Sequence, residues 1–125
     1  MPTQRQLRVN RLLQEEIADI MRRELQDPLI GFATVTGVEV TADLKHAKVF
    51  VSVLGDEESK QSTMKALRRG HKYIRAVLAD RITLKSIPEL NFRLDETAER
   101  AQRIEILLRQ SAEELADSDE SEPEE

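Results

Sequence analysis

Residues 59–88 read SKQSTMKALRRGHKYIRAVLADRITLKSIP, a basic stretch with a helical apolar pattern and one glycine, Gly70, near its middle. Met64, Leu67, Ile74 and Leu78, with His71 in the same stripe, recur at the spacing of one helix face. Beside them stand Lys60, Lys65, Arg68, Arg69, Lys72, Arg75, Arg81 and Lys85, against a single acid, Asp80. A glycine inside a helix costs about 1 kcal/mol relative to alanine, so the pattern reads as two helices meeting at a break. Asp56, Glu57 and Glu58 open the first of them and Arg68 and Arg69 close it. That order complements a helix macrodipole, and Gly70 takes the place after the last turn that glycine favours. Arg68 and Arg69 therefore also read as helix termination. The second helix continues through Tyr73, Ile74, Val77, Leu78 and Ile82, and Lys65, Arg68, Lys72 and Arg75 form one cationic stripe beside the apolar one.

Working outward, two strands precede this pair. Residues 34–40 are rich in β-branched side chains, with Gly37 as a bulge or close-approach point. Ala47, Val49, Val51 and Val53 alternate with more polar neighbours, the period of a half-buried strand. The short polar connection TADLKH makes the two antiparallel neighbours, and Phe50 falls on the less apolar face, either exposed or covered by another element. Before them, Val9, Leu13, Ile17, Ile20 and Met21 form a helical stripe, widened by Leu12 and Leu25 and ending before Pro28. After Pro88, residues 90–94 alternate as a third strand. A last helix begins near Thr97, with Ala101, Ile104, Leu107 and Leu108 on its inner side. The order is helix, strand, strand, helix, break, helix, strand, helix: an α+β domain with helices packed on a three-stranded sheet.

The 125 residues fit one domain with a core of its own. The formal net charge of −5 conceals a division. Eight of the 24 acids lie after Ala112, where there is no base, so residues 1–112 hold 19 bases against 16 acids. We expect residues 1–112 to form the folded domain and 113–125 an acidic, disordered tail, too poor in apolar side chains to offset its ordering entropy. The tail reads as a solubilising segment or as a competitor of phosphate for the basic face. Arg5, Arg8 and Arg11 lie on one side of the first helix's opening turns, where cations oppose the macrodipole. They read as a solvated face or as a second patch for an anionic partner.

Catalytic chemistry finds no foothold. There is no cysteine, which excludes a thiol nucleophile and a cysteine-based zinc site. The only histidines, His46 and His71, are far apart in sequence, and His71 reads as a partly buried helix residue. No G-x-S-x-G motif, P-loop or dinucleotide fingerprint occurs. The N-terminal stretch has no signal-peptide character and no segment approaches transmembrane length. A soluble, cytoplasmic, monomeric protein without enzymatic activity, cofactor or metal is expected.

The residues resemble one known family. RVNRLLQEEIADIMRRELQDPLIG, VTGVEVTADLKHAKVFVSVLG and IRAVLADRITLKSIPELNFRLDET followed by RIEILL are similar, in order and spacing, to ribosome-binding factor A. The resemblance covers nearly all of residues 5–110. It implies a type II KH-like fold and a bacterial assembly factor that binds the free small (30S) ribosomal subunit and its 16S ribosomal RNA. It further implies a part in late maturation of that RNA, including its 5′ end, and importance in the cold. Standard KH domains grip nucleic acid with a G-x-x-G loop, whereas this family has an Ala-x-Gly kink, falling here on Gly70, His71 and Lys72. Gly stands where Ala is expected and Lys where Gly is expected.

On this reading Lys65, Arg68, Arg69, Gly70, Lys72, Arg75, Arg81 and Lys85 make the RNA contact, with Arg5, Arg8 and Arg11 as a second patch. Part of the charge at Arg68 and Arg69 belongs to the helix end, so Lys72, Arg75, Arg81 and Lys85 are the stronger candidates. Two other functions fit the residues alone: a free-standing nucleic-acid binder with a helix-turn-helix-like pair around Gly70, and a protein-interaction module whose basic face meets an acidic partner.

Overall fold

The computed structural model describes residues 1–25, 30 and 33–121. Its elements follow the expected order: α1 (Gln4–Arg23), β1 (Ala33–Val40), β2 (His46–Val53), α2 (Glu57–Arg69), α3 (His71–Arg81), β3 (Glu89–Leu94) and α4 (Thr97–Ser121). They fall into two compact units, Met1–Asp95 and Glu96–Glu125.

In the first unit the sheet order is β1-β2-β3, with β1 antiparallel and β3 parallel to the central β2. A parallel neighbour cannot be reached by a hairpin and needs a crossover of about a dozen residues or more. Helices α2 and α3 are that crossover, which is how a basic helical pair becomes fixed to a sheet. One face of the sheet, with Val35, Val38, Ala47, Val49, Val51, Leu90 and Phe92, is buried. Helix α1 packs on β1, α2 on β2 and β3, and α3 on α1 and β3. This α+β arrangement is the KH-like fold expected from the sequence.

Val35 and Val38 are three residues apart, which on a regular strand would put them on opposite faces. The pairing with β2 shifts between Val35 and Gly37, and the extra residue, Thr36, turns both valines inward. Gly37 lies opposite Phe50, whose Cδ2 is 3.9 Å from where a Cβ at that position would stand. Phe50 is half-buried on the outer face.

Helix α1 buries Val9, Leu13, Ile17, Ile20 and Met21, the stripe read from the sequence. No acid occupies its first turn. A capping box does the work instead: Thr3 Oγ1 accepts the Gln6 N–H at 3.1 Å and Gln6 Oε1 accepts the Thr3 N–H at 2.9 Å. The T-x-x-Q signal for it was present in the sequence. Gln6 Nε2 also donates to the Val40 carbonyl at 3.1 Å, and Asn10 Oδ1 accepts the Val40 N–H at 2.8 Å. The start of α1 is thus tied to the end of β1. The helix ends at Arg23; Pro28 lies outside the described residues.

The second unit is built on α4. Ala101, Ile104, Leu107 and Leu108, the face expected to point inward, are all exposed. Helix α4 runs from Thr97 to Ser121 with no base in its last turn.

Candidate nucleic-acid interface

The α2–α3 junction is the site the sequence pointed to. Helix α2 is capped by Asp56, whose Oδ1 accepts the Ser59 N–H at 2.8 Å, the main reason its carboxyl is held below the ordinary 3.8. At the other end Gly70 closes α2 and opens α3 at once: its N–H donates to the Ala66 carbonyl at 3.0 Å, and its own carbonyl accepts the Ile74 N–H at 3.1 Å. Its φ of −91° and ψ of 5° are open to any L-residue, so the bend does not use the left-handed cap that a glycine after a helix suggests. No residue from 70 to 72 has positive φ. His71 Nδ1 donates to the Arg68 carbonyl at 2.8 Å, satisfying one of the acceptors left open at a helix C-terminus. This contact gives His71 a structural role at the end of α2.

The cations of this segment separate into two populations. Lys65, Arg69 and Lys72 are exposed, and among the described residues they have no ion-pair or hydrogen-bond partner. Arg68 is exposed and makes one long contact, Nη2 to the Phe92 carbonyl at 3.4 Å. Lys60 is buried.

Arg75 and Arg81 are spent inside the fold. Arg75 Nε donates to the Pro88 carbonyl at 3.0 Å, Nη2 to the Ile87 carbonyl at 2.9 Å, and Nη1 lies 3.2 Å from Glu89. It fastens α3 to the loop that leads into β3. Arg81 meets three acids, with Nη1 2.6 Å from Asp19 and 3.4 Å from Glu16 and Nη2 3.2 Å from Glu24. Those acids belong to α1 and the residue that caps it, so Arg81 ties α3 to α1. The Arg81 hydrogen bond, with Arg23 and Arg22 nearby, holds the Asp19 carboxyl below its ordinary 3.8 despite partial desolvation. Both arginines ranked high in the sequence; the structure gives Arg75 two carbonyls and one carboxylate and Arg81 three carboxylates as internal partners, which compete with a phosphate for them.

Lys85 stands apart from the α2–α3 junction. It lines a hollow together with Arg5, from the proposed second patch, and with Lys45, which the sequence reading passed over as part of a short polar turn. Nothing local in TADLKH marks Lys45, because its significance comes from residues 40 positions away on either side. Arg8 and Arg11 are exposed along α1, and Arg11 lines a separate shallow hollow with Gln14, Glu15 and Arg22. Among the described residues no cluster of His, Asp or Glu could hold a metal ion, and no helix is long and apolar enough to cross a membrane.

The family model of ribosome-binding factor A matches residues 5–108. Ribosome-binding factor A of Halothermothrix orenii is 47% identical over 114 residues, covering 91% of this chain and 93% of the relative. The crystal structure of ribosome-binding factor A from Thermus thermophilus superimposes with a TM-score of 0.64 at 26% identity, covering 71% of this chain and 94% of that one. A homology model of the Thermus thermophilus protein, as fitted into the cryo-EM map of a 30S–RbfA complex, matches with a TM-score of 0.58 at 27% identity, over 69% and 90% of the two chains.

Proposed function

This chain belongs to the ribosome-binding factor A family, and we propose that it is an assembly factor that docks on the free small ribosomal subunit through the phosphates of 16S ribosomal RNA. In this reading it holds a late-folding region of that RNA until maturation, including that of the 5′ end, can proceed. It acts by binding, as a monomer in the cytoplasm, and without catalysis. Its importance rises in the cold, when misfolded RNA helices escape slowly.

The observation that supports it is the row of exposed cations at Lys65, Arg69 and Lys72 around the Gly70 bend, without a partner among the described residues, in a chain that is acidic overall. A base with no acid partner is free to replace the counterions of a phosphate, and the release of those ions favours binding. That a homology model of the Thermus thermophilus relative was fitted into the map of a 30S–RbfA complex supports the small subunit as the partner.

Sedimentation of the tagged chain with cell extract tests the proposal. Comigration with free small subunits and not with assembled ribosomes is expected, and nuclease treatment of the bound fraction should release the chain. Reversal of Lys65 and Lys72 to Glu should abolish comigration while the fold remains intact, since neither side chain has an internal partner among the described residues. Retention by an RNA-free protein fraction would overturn the proposal in favour of a protein-interaction module.

A further inference from the structure

Three separate elements bring a cation to one hollow of about 430 Å³: Arg5 from the first turn of α1, Lys45 from the β1–β2 turn and Lys85 from the α3–β3 loop. Leu44, Leu84, Ser86 and Asp43 complete the lining. The size lies within the roughly 300–1,000 Å³ usual for ligand clefts. Arg5, Lys45 and Lys85 are exposed and, among the described residues, without ion-pair partners.

Each of the three contributing elements is fixed from behind. The start of α1 is tied to Val40 by Gln6 and Asn10. The turn is closed by the Leu44 N–H to the Thr41 carbonyl at 2.9 Å, and the Lys45 carbonyl accepts the Glu89 N–H at 2.8 Å. Arg75 grips the carbonyls of Ile87 and Pro88, which immediately follow the loop's contribution to the hollow. Leu44, at φ 59°, is the one non-glycine residue with positive φ among those described. Such a conformation persists only where the surroundings impose it. It sets Leu44 and Lys45 side by side on the wall of the hollow. The one acid of the lining, Asp43, is engaged in the turn, where its Oδ1 accepts from Thr41 Oγ1 at 2.6 Å and from the Lys45 N–H at 3.0 Å.

We infer that this hollow receives one nucleotide of a single-stranded RNA segment, its phosphate held by Arg5, Lys45 and Lys85 and its sugar and base laid against Leu44 and Leu84. The inference rests on the subunit-binding function proposed above and names a contact distinct from the Gly70 bend. A concave site with a cation on each side and an apolar wall suits a nucleotide turned out of a helix, whereas the phosphates of a regular duplex run along a convex surface and do not enter it.

The test is the affinity of the Lys45→Gln/Lys85→Gln chain for purified small subunits across a salt series. The expected result is a roughly tenfold loss near 100 mM salt, with a log–log salt slope shallower by about 0.7 for the single-strand phosphate contact released. The thermal midpoint should shift little, because among the described residues neither lysine's ammonium has an ion-pair or hydrogen-bond partner and Lys45 adds only a minor part to the lowering of Asp43. An unaltered affinity and slope in the double variant, beside a wild type that binds, would overturn this site alone. So would a loss of affinity with no change in slope. A wild-type chain that fails to bind subunits would instead overturn the proposed function, and the site with it.

Discussion

Replacing Gly70 with alanine should stabilise the protein, although this glycine sits at the bend that characterises the site. Its backbone, at φ −91° and ψ 5°, is available to alanine. A Cβ there would stand 3.4 Å from the Ala66 carbonyl oxygen and 3.9 Å from that of Leu67, at the near edge of ordinary contact. Nothing must move, and the unfolded chain loses freedom, a change that contributes about 0.4–1 kcal/mol where the native conformation is compatible. The close Ala66 contact argues for the lower half of that range, about 0.5 kcal/mol, or a rise of roughly 2–4 °C in Tm for a domain of this size. Urea unfolding followed by circular dichroism should show a higher midpoint with an unchanged slope. Gly55→Ala provides the opposite case. Its φ is 141° and its Cβ would meet Ser59 Cβ at 3.0 Å, so a loss of about 1–3 kcal/mol is expected. A lowered midpoint in Gly70→Ala would refute the reasoning, and so would equal losses in the two variants. Subunit affinity in Gly70→Ala should stay within about twofold, because no charge contributing to the salt-dependent contact has changed.

Four further outcomes follow from the geometry. Arg81→Met should lower Tm by leaving Glu16, Asp19 and Glu24 without their shared cation; combination with Asp19→Asn should recover part of the loss, while Asp80→Ala, one residue away, should change nothing. Because Asp19 and Asp43 are held below their ordinary 3.8 by hydrogen-bond donors and cations, and Asp56 by hydrogen-bond donors alone, their contribution is present above that value and lost as pH falls through the lower folded values. Melting temperature should therefore be flat near neutrality and drop from roughly pH 5 downward, less steeply in Asp19→Asn. Leu13→Ala, at a fully buried position of α1, should cost about 2–5 kcal/mol in urea unfolding. Truncation after Ala112 should tighten subunit binding at low salt, since it removes eight acids and no base.

The first helix was legible because five apolar residues at helical spacing allow only one face to be buried, and that face is the one facing β1. The alternation of β2 and the short turn before it likewise determined an antiparallel pair. The direction of β3 was not legible from alternation, which is the same for parallel and antiparallel strands; it follows only from the two-helix crossover. Gly70 was located correctly, but a glycine after a helix leaves the sign of φ open. The internal partners of Arg75 and Arg81 were not legible for a simple reason. The carbonyls that Arg75 grips are 12 and 13 residues away, and the acids around Arg81 are 57 to 65 residues away. A sequence displays charge locally, whereas the cancellation of charge is a long-range property of the fold.

That cancellation bears on how RNA binding should be counted. A guanidinium is planar and offers five donors in a fixed fork, which suits it to gripping two carbonyls and an acid at once, as Arg75 does, or three acids, as Arg81 does. A lysine offers a single flexible charge, and the exposed lysines here remain unpaired among the described residues. Counting every base of residues 59–88 as a phosphate contact would therefore overstate the electrostatic attraction. The proposed contacts fall into two groups of three: Lys65, Arg69 and Lys72 around the bend, and Arg5, Lys45 and Lys85 at the hollow. If the bend cations meet three phosphates and the hollow holds one, about four contacts predict a roughly hundredfold loss of affinity between 50 and 200 mM salt; the bend alone predicts about thirtyfold. Arg75→Lys separates framework from contact in the same measurement. It keeps the charge but loses the fork, so a framework role predicts a lower Tm, with the salt slope shallower only by the contact that Lys85 loses when its loop is no longer held. An unchanged Tm would return Arg75 to the list of phosphate ligands.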